Sequence, residues 1–397
     1  MMPFDFRLYL KLIGYSLRDA KTPRRVGRVL FLALLCPTIV LFGSLGMLLD
    51  WVFYPGLRST RIQNPVIVTG HARSGTTLMV KLLSRDGRYA WVMTYEMILP
   101  SITQKRLVRW VAAFDREYLG AFLETRVTAW EDRVFAKGRE MHPMGLTMPE
   151  EDAFMLAATF LHAQVGLFFP YQREIDQLFY FDQRTPRQRA RAMKFYERCV
   201  RRHLYLHGGN DAGVIFLSKN PTMVGALVSL RETFPDAKFV LMMRNPYETI
   251  PSLLKMMVRN WRILGYQRNE VEDALRILGQ QCLYYYQYPF EALDDLPRDR
   301  CAYVRYEELV EEPSRAITEL YEQLDIPLSE SFAEELTREE QHSKRHRREH
   351  IYSLEEFGLS RAEIRAALPE AFDRFGWDPP PPREPKGSAG SNPSAAS

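Results

Sequence analysis

Cysteine is scarce. The 397 residues hold four, Cys36, Cys199, Cys282 and Cys301. They are scattered, which excludes a dense disulfide framework or a thiolate metal cluster. The eight histidines show no metal spacing; His346 and His350 lie four apart without a carboxylate motif. No metal is expected. Charge of one sign is also lacking. The formal net charge is only +4, so no nucleic-acid partner is indicated. No N-x-[ST] glycosylation site exists, because Asn220-Pro221-Thr222 and Asn392-Pro393-Ser394 are excluded by proline. The length suits one large or two modest domains and is ample for a core.

The chain is organised around Pro65–Leu83, PVIVTGHARSGTTLMVKLL. Val66–Thr69 reads as a buried strand, Gly70–Thr77 as a loop, and Leu78, Val80, Leu82 and Leu83 as a helix. The glycines let the backbone curl, and the loop and helix-start amides point at an anion. The spacing is that of a P-loop with one departure. G-x-x-x-x-G-K-[ST] would put Lys at position 76, where this chain has Thr76. Without that Lys the loop is a poor triphosphate–Mg²⁺ site. Arg73 supplies charge from inside the loop, and Ser74, Thr76 and Thr77 add hydroxyl donors. One 5′-phosphoryl-type group is the ligand suggested.

Two later units share one design. Val214–Leu217 is a strand, followed by Ser218-Lys219-Asn220-Pro221 and a helix to Phe234. Lys238–Met243 is a strand, followed by Arg244-Asn245-Pro246 and a helix to about Asn260. In each, a cation closes the strand, Asn can cap the helix and Pro takes its first position. Such units predict right-handed βαβ crossovers in a parallel sheet. Ligands bind there at the carboxyl ends of strands, which brings Gly70, Lys219 and Arg244 to one edge. Ser252 lies eight residues after Arg244, two turns into the helix and facing back.

GHARSGTTL resembles the 5′-phosphosulfate loop of sulfotransferases that use 3′-phosphoadenosine 5′-phosphosulfate (PAPS). The nearest branch holds tyrosylprotein sulfotransferases and microbial homologues. Arg244 and Ser252, opening on R-N-P, resemble that family's 3′-phosphate site, R-(x)7-S. Ala302–Val304 is a further strand, and Tyr306-Glu307-Glu308-Leu309 is similar to the family's Y-E-x-L, whose Tyr touches the nucleotide. His350–Leu359 resembles an H-x-Y-S-L-E-x-F-G-L end of microbial homologues. The basic run Lys344–Arg348 before it either closes over the 3′-phosphate or is a solvated charge run.

The resemblance covers roughly residues 64–370. It implies an α/β fold: a P-loop-like parallel sheet flanked by helices, with a helical insertion. The sulfotransferase domain would span 64–375, with 101–210 as the acceptor-side insertion. PAPS would be the co-substrate, without a metal. Gly70, Arg73, Ser74, Gly75, Thr76, Thr77, Arg244, Ser252 and Tyr306 would bind it. Lys219 would neutralise the sulfonate or the bridging oxygen. The reaction implied is sulfuryl transfer to a hydroxyl or amine of a small-molecule or lipid acceptor.

The general base stays open among several residues. Glu96 closes the short strand that ends Arg85–Met93, and a Glu in the corresponding region serves the tyrosylprotein and heparan branches. Its other reading is a helix cap or surface acid. His142 is the alternative, in the loop Met141–Asp152, MHPMGLTMPEED; Glu150 and Glu151 come third. After that loop, Ala153–Gly166 reads as an apolar helix, Leu167–Tyr171 as aromatic core packing and Thr185–Leu206 as a basic amphipathic helix. Two competing functions are an ATP-using kinase-like protein and an inactive membrane scaffold. Thr76, and the lack of a Walker-B acidic strand end, count against the first.

Val29–Leu49 has no charged residue. As a helix it would be about 31 Å long at ~1.5 Å per residue, enough to cross a ~30 Å hydrocarbon layer. Arg24, Arg25 and Arg28 precede it, so a true crossing would leave the N-terminus cytosolic and the enzyme lumenal or periplasmic. Pro37, Gly43 and Gly46 favour instead an anchor that dips into one leaflet, with the catalytic domain cytosolic. Phe4, Leu8, Leu12 and Tyr15 recur at helical spacing among basic residues, as in an interfacial helix. Residues 1–60 are thus read as a membrane-associated helical segment, the alternative being an accessory helix pair packed on the core. A site this close to lipid suits a membrane-resident hydroxylated acceptor such as a lipid, sterol or quinol. Residues 379–397 read as a disordered tail.

Overall fold

The structure is a computed structural model, and residues 1–139, 145–343 and 354–377 are described. Two helices come first, α1 (Phe6–Arg18) and α2 (Pro23–Phe53). The central unit begins with β1 (Val66–Gly70), α3 (Thr76–Leu83), β2 (Tyr89–Ala90) and α4 (Thr94–Ile98). The helical insertion follows: α5 (Ile102–Tyr118), α6 (Phe122–Arg139), α7 (Phe154–Ala157), α8 (Gln172–Phe179) and α9 (Pro186–Leu206). Then come β3 (Ile215–Lys219), α10 (Leu227–Thr233), β4 (Lys238–Met243), α11 (Pro246–Ile263), α12 (Glu272–Leu293), β5 (Cys301–Arg305) and α13 (Tyr306–Glu311).

The five strands form one parallel sheet in the order β2-β3-β1-β4-β5. All five residues of β1 are buried. That is why it reads as an unbroken apolar run rather than an alternation: helices cover both sheet faces. Val68 pairs with Lys219 on one side and Val240 on the other, and Met243 pairs with Arg305. The register therefore brings Gly70, Lys219, Met243 and Arg305 to the same edge, as the βαβ reading requires.

Several expectations are corrected. The apolar stretch after the acidic loop is not one helix to Gly166. It stops at Ala157, and Phe160 takes a left-handed φ of 59° before a separate 3₁₀ turn. Asn245 caps α11 by accepting from the Tyr247 amide, but Asn220 caps nothing; its side chain turns into the core. Pro37 does not interrupt α2, which runs unbroken for 31 residues. Gly43 and Gly46 do not loosen it. A Cβ at Gly46 would lie 2.7–2.8 Å from Gln104 and Ser101 side-chain atoms, so glycine there permits close approach of α5.

Candidate active site

The loop after β1 has three left-handed residues: Gly70 (φ 130°), Arg73 (φ 75°) and Gly75 (φ 99°). A Cβ at Gly70 would stand 2.4 Å from the Met242 carbonyl oxygen. One at Gly75 would stand 2.5 Å from the Tyr306 ring. Neither position admits a side chain. Arg73 is a non-glycine residue held in a sparsely populated conformation, which needs a surrounding structure that fixes it. Its Nε donates to Ser252 Oγ at 3.2 Å, and its carbonyl accepts from Arg244 Nη1 at 3.3 Å. The Arg244 guanidinium carbon lies 4.1 Å from the Tyr306 ring centroid. Gly75, Arg73, Ser252, Arg244 and Tyr306 thus form one chain of contacts across β1, β4 and β5. Ser74, Thr76 and Thr77 lie on the same turn, where α3 begins at Thr76.

Two buried polar atoms of this loop lack a partner among the described residues: Ser74 Oγ and His71 Nε2. Buried polar atoms are nearly always matched, so the hydroxyl fits a ligand group. His71 stacks on Tyr286 at 5.0 Å, and Nδ1 donates to the Ala72 carbonyl at 2.6 Å. Burial lowers its pKa to about 4, which keeps the ring neutral. Arg73, Arg244 and the loop amides supply positive potential for a phosphate.

Lys219 ends β3 and is buried; its Nζ lies 3.3 Å from Glu150 Oε1. Glu150 stands on a loop laid antiparallel to residues 92–95, through Glu150 N to Val92 O and Thr94 N to Met148 O. Next to it, Glu151 Oε2 accepts from Gln164 Nε2 at 2.7 Å. Burial, with Glu150 alongside, raises the Glu151 carboxyl to about 7, against the pull of Lys219. Asp152 holds this corner. Its carboxylate accepts from the Tyr196 hydroxyl at 2.6 Å, from the Lys219 amide at 3.0 Å and from the Asn220 side chain. Asn220 in turn accepts from the Ala153 amide at 2.9 Å.

Glu96 does not close a strand. It sits in the first turn of α4, fully buried, and accepts from the Met93 amide at 3.2 Å. Arg109 Nη2 lies 3.3 Å from one carboxylate oxygen and His203 Nδ1 3.4 Å from the other. Burial would raise its pKa, but the His203 hydrogen bond and the charge of buried Lys105 outweigh this and hold the carboxyl well below its usual range. Glu96, His203 and His207 offer ligand atoms within 4.8 Å of one another, so the chain does contain a four-apart histidine pair beside a carboxylate. Arg109 and Lys105 already balance that carboxylate, and a cation there would face two positive side chains. His142, Lys344–Arg348 and His350–Ser353 lie outside the described residues.

Residues 65–330, about two thirds of the chain, match the model of the sulfotransferase family. The chain belongs to that family. As a whole this sulfotransferase is similar to Stf3 of Mycobacterium tuberculosis, an omega-hydroxy-beta-dihydromenaquinone-9 sulfotransferase. The two are 26% identical over 322 residues, 79% of this chain and 75% of the other. Protein-tyrosine sulfotransferase A of Caenorhabditis elegans is 28% identical over 127 residues, 30% of either chain. In fold, the sulfotransferase resembles STF9 of Mycobacterium avium, with a TM-score of 0.72 at 20% identity over 94% of this chain and 92% of that one.

Missed in the sequence are Asp152, Tyr196 and Asn220 as one buried cluster; Glu151, third among the base candidates, is the carboxyl that burial raises to about 7. The only signal was three consecutive acids, Glu150–Asp152, leading into an apolar run. Acids at the edge of a core need partners or a shifted pKa.

Proposed function

We propose that this sulfotransferase moves a sulfuryl group from PAPS to a hydroxyl of an apolar, membrane-resident acceptor. The observation that carries the donor is the contact chain Arg73–Ser252 and Arg244–Tyr306 around a loop with an unmatched buried hydroxyl at Ser74. Arg73 and the Gly70–Thr77 amides would hold the 5′-phosphate, and Arg244 with Ser252 the 3′-phosphate. The missing Lys at position 76 leaves no site for a triphosphate–Mg²⁺ array. The acceptor is supported by a relative, similar over most of its length, that is named for an omega-hydroxylated menaquinone.

In-line transfer forms an O–S bond to the acceptor and breaks the S–O bond to the 5′-phosphate. Charge grows on the transferring group and the departing phosphate, and buried cations stabilise it. Lys219 is such a cation. The acceptor proton goes to a base, and Glu151 suits that role better than Glu96. Its pKa of about 7 matches a base working near neutrality, whereas Glu96 is held ionised by His203, Lys105 and Arg109. Calorimetry tests the donor. Adenosine 3′,5′-bisphosphate should bind tightly without Mg²⁺ and ATP weakly. Tighter, Mg²⁺-requiring ATP binding would overturn the assignment. Mass spectrometry of sulfated lipids from cells with and without the gene tests the acceptor; an unchanged lipid fraction would remove it.

A further inference from the structure

The long apolar helix α2 has two different sides. Ala33, Cys36, Val40, Gly43, Met47 and Asp50, alternately three and four residues apart, face the protein. Phe31, Leu34, Leu41, Leu45, Leu48 and Val52 run along the other side and are exposed. Such a stripe is what a helix lying on a domain shows, since a crossing helix meets lipid on every unpartnered side.

Both ends of α2 are clasped by the same folded body. Near its start, buried Arg25 donates to Glu270 at 3.0 and 3.1 Å and lies 3.9 Å from the Tyr266 ring centroid. Near its end, buried Asp50 accepts from Ser101 Oγ and the Thr103 amide at 2.8 Å, and from Arg202 Nε at 2.8 Å. The helix is about 46 Å long at ~1.5 Å per residue. A crossing would put the two clasps on opposite faces of a ~30 Å hydrocarbon layer. Glu270 and Arg202 belong to one domain, so that arrangement is closed to this fold.

A second apolar ridge adjoins the first. Leu107, Val111 and Phe114 on α5, and Leu123, Val127 and Trp130 on α6, are spaced three or four apart and exposed. The α5 helix is fixed to α2 by the Asp50 clasp and by Gln104 Nε2, which donates to the Phe42 carbonyl at 2.8 Å. Basic and aromatic groups couple at the ends of these ridges: Arg58 over Trp51 at 4.4 Å, Arg106 over Tyr54 at 4.7 Å and Arg126 over Phe122 at 4.5 Å. Such pairs suit the boundary between headgroups and acyl chains. Residues 23–53 and 102–139, which carry the ridges, hold eleven Lys and Arg against six Asp and Glu, an excess of five, while the whole chain nets only +4. The remainder is therefore net acidic, and the positive charge gathers where the apolar ridges are.

We propose that α2 and the α5–α6 pair form one in-plane platform that docks on an anionic lipid surface without crossing it. The proposal does not depend on the donor or the acceptor, because lipid binding is read directly. Full-length protein is floated with vesicles of phosphatidylcholine, with or without phosphatidylglycerol. Wild type should float with the anionic vesicles. Leu34→Ser/Leu41→Ser and Leu107→Ser/Phe114→Ser should each weaken binding at least tenfold, with an unchanged melting temperature as the check on folding. Wild-type flotation of the Leu107/Phe114 variant would overturn the platform. So would loss of a dimer in sedimentation by that variant without loss of lipid binding, since the ridge would then be an interface between copies. For topology, Lys21→Cys and Ser59→Cys are made separately in a Cys36→Ser background. Both should respond alike to an impermeant thiol reagent in sealed, cytosol-out vesicles. Labelling of one and protection of the other would establish a crossing and overturn the proposal.

Discussion

The two sides of the candidate site hold their polar groups differently. On the Glu150–Asp152 side, Asp152 is matched by Tyr196, Asn220 and the Lys219 amide, and Asn220 by the Ala153 amide. On the loop side, Ser74 Oγ and His71 Nε2 stay buried without a partner among the described residues. A satisfied network fixes geometry, whereas a buried unmatched hydroxyl carries a cost until a ligand meets it. The first side reads as scaffold for Lys219 and the neighbouring carboxylates, the second as a receptor for an anion.

The comparison breaks most sharply at Glu151. Glu151→Gln should reduce kcat roughly 10²–10⁴-fold, the range for a general base, while sparing nucleotide affinity. The pH profile adds a second reading. Burial raises this carboxyl to about 7, and only its deprotonated form accepts the acceptor's proton. Wild-type kcat should therefore rise with pH up to about 7 and level off above, and the variant should lose that limb. Should Glu96→Gln produce the loss and Glu151→Gln leave turnover intact, the base lies on α4 after all.

Next comes the scaffold itself. Asp152→Ala strips the partner from Tyr196, Asn220 and the Lys219 amide at once, deep in the core. Leaving a buried donor without its acceptor costs about 1–3 kcal/mol per group, to be read from the shift in a denaturation midpoint. Stability within 1 kcal/mol of wild type, a difference typical of surface changes (roughly ±0.5 kcal/mol), would show that the cluster does not hold this corner.

Arg244→Ala should act on binding with little effect on folding. Its guanidinium is partly exposed and shared between Glu248, the Arg73 carbonyl and the Tyr306 ring. Losing one charged hydrogen bond to a phosphate is worth about 1.5–3 kcal/mol. Calorimetry with adenosine 3′,5′-bisphosphate should show that loss, unchanged by Mg²⁺. Wild-type affinity would remove Arg244 from the nucleotide site.

The same contrast explains what was legible in the sequence. The loop side is built from strand–turn–helix pieces whose candidate residues sit at each turn, so Gly70, Arg73, Arg244 and Ser252 carry their signal within a few positions. Lys238–Met243 matches the strand residue for residue. The other side joins residues far apart in sequence. Asp152 meets Tyr196 and Asn220 only after the insertion folds, and no local spacing encodes that. Asn220 before Pro221 looks like a helix cap, yet a core acid captured it. Glu96 reads as a strand end or as a helix cap, and it is the cap: its side chain accepts from the Met93 amide at the start of α4. In α2 the absence of charge points to the membrane, while the inner stripe ending at Asp50 shows which face packs on the domain.

The smallest effect is the most discriminating, because it should change sign between two measurements. Ser74 Oγ is buried with no partner among the described residues. In the free protein, Ser74→Ala removes a desolvated hydroxyl that makes no bond, so stability should hold or rise by up to about 1 kcal/mol. With adenosine 3′,5′-bisphosphate bound, the same change deletes a donor to a phosphate oxygen, and affinity should fall by about 1 kcal/mol. Thermal melts with and without the nucleotide read both at once. The variant should melt no lower than wild type alone, and saturating ligand should raise its melting temperature less than it raises that of wild type. A variant that melts lower in both states would mean that Ser74 serves the fold and not the nucleotide.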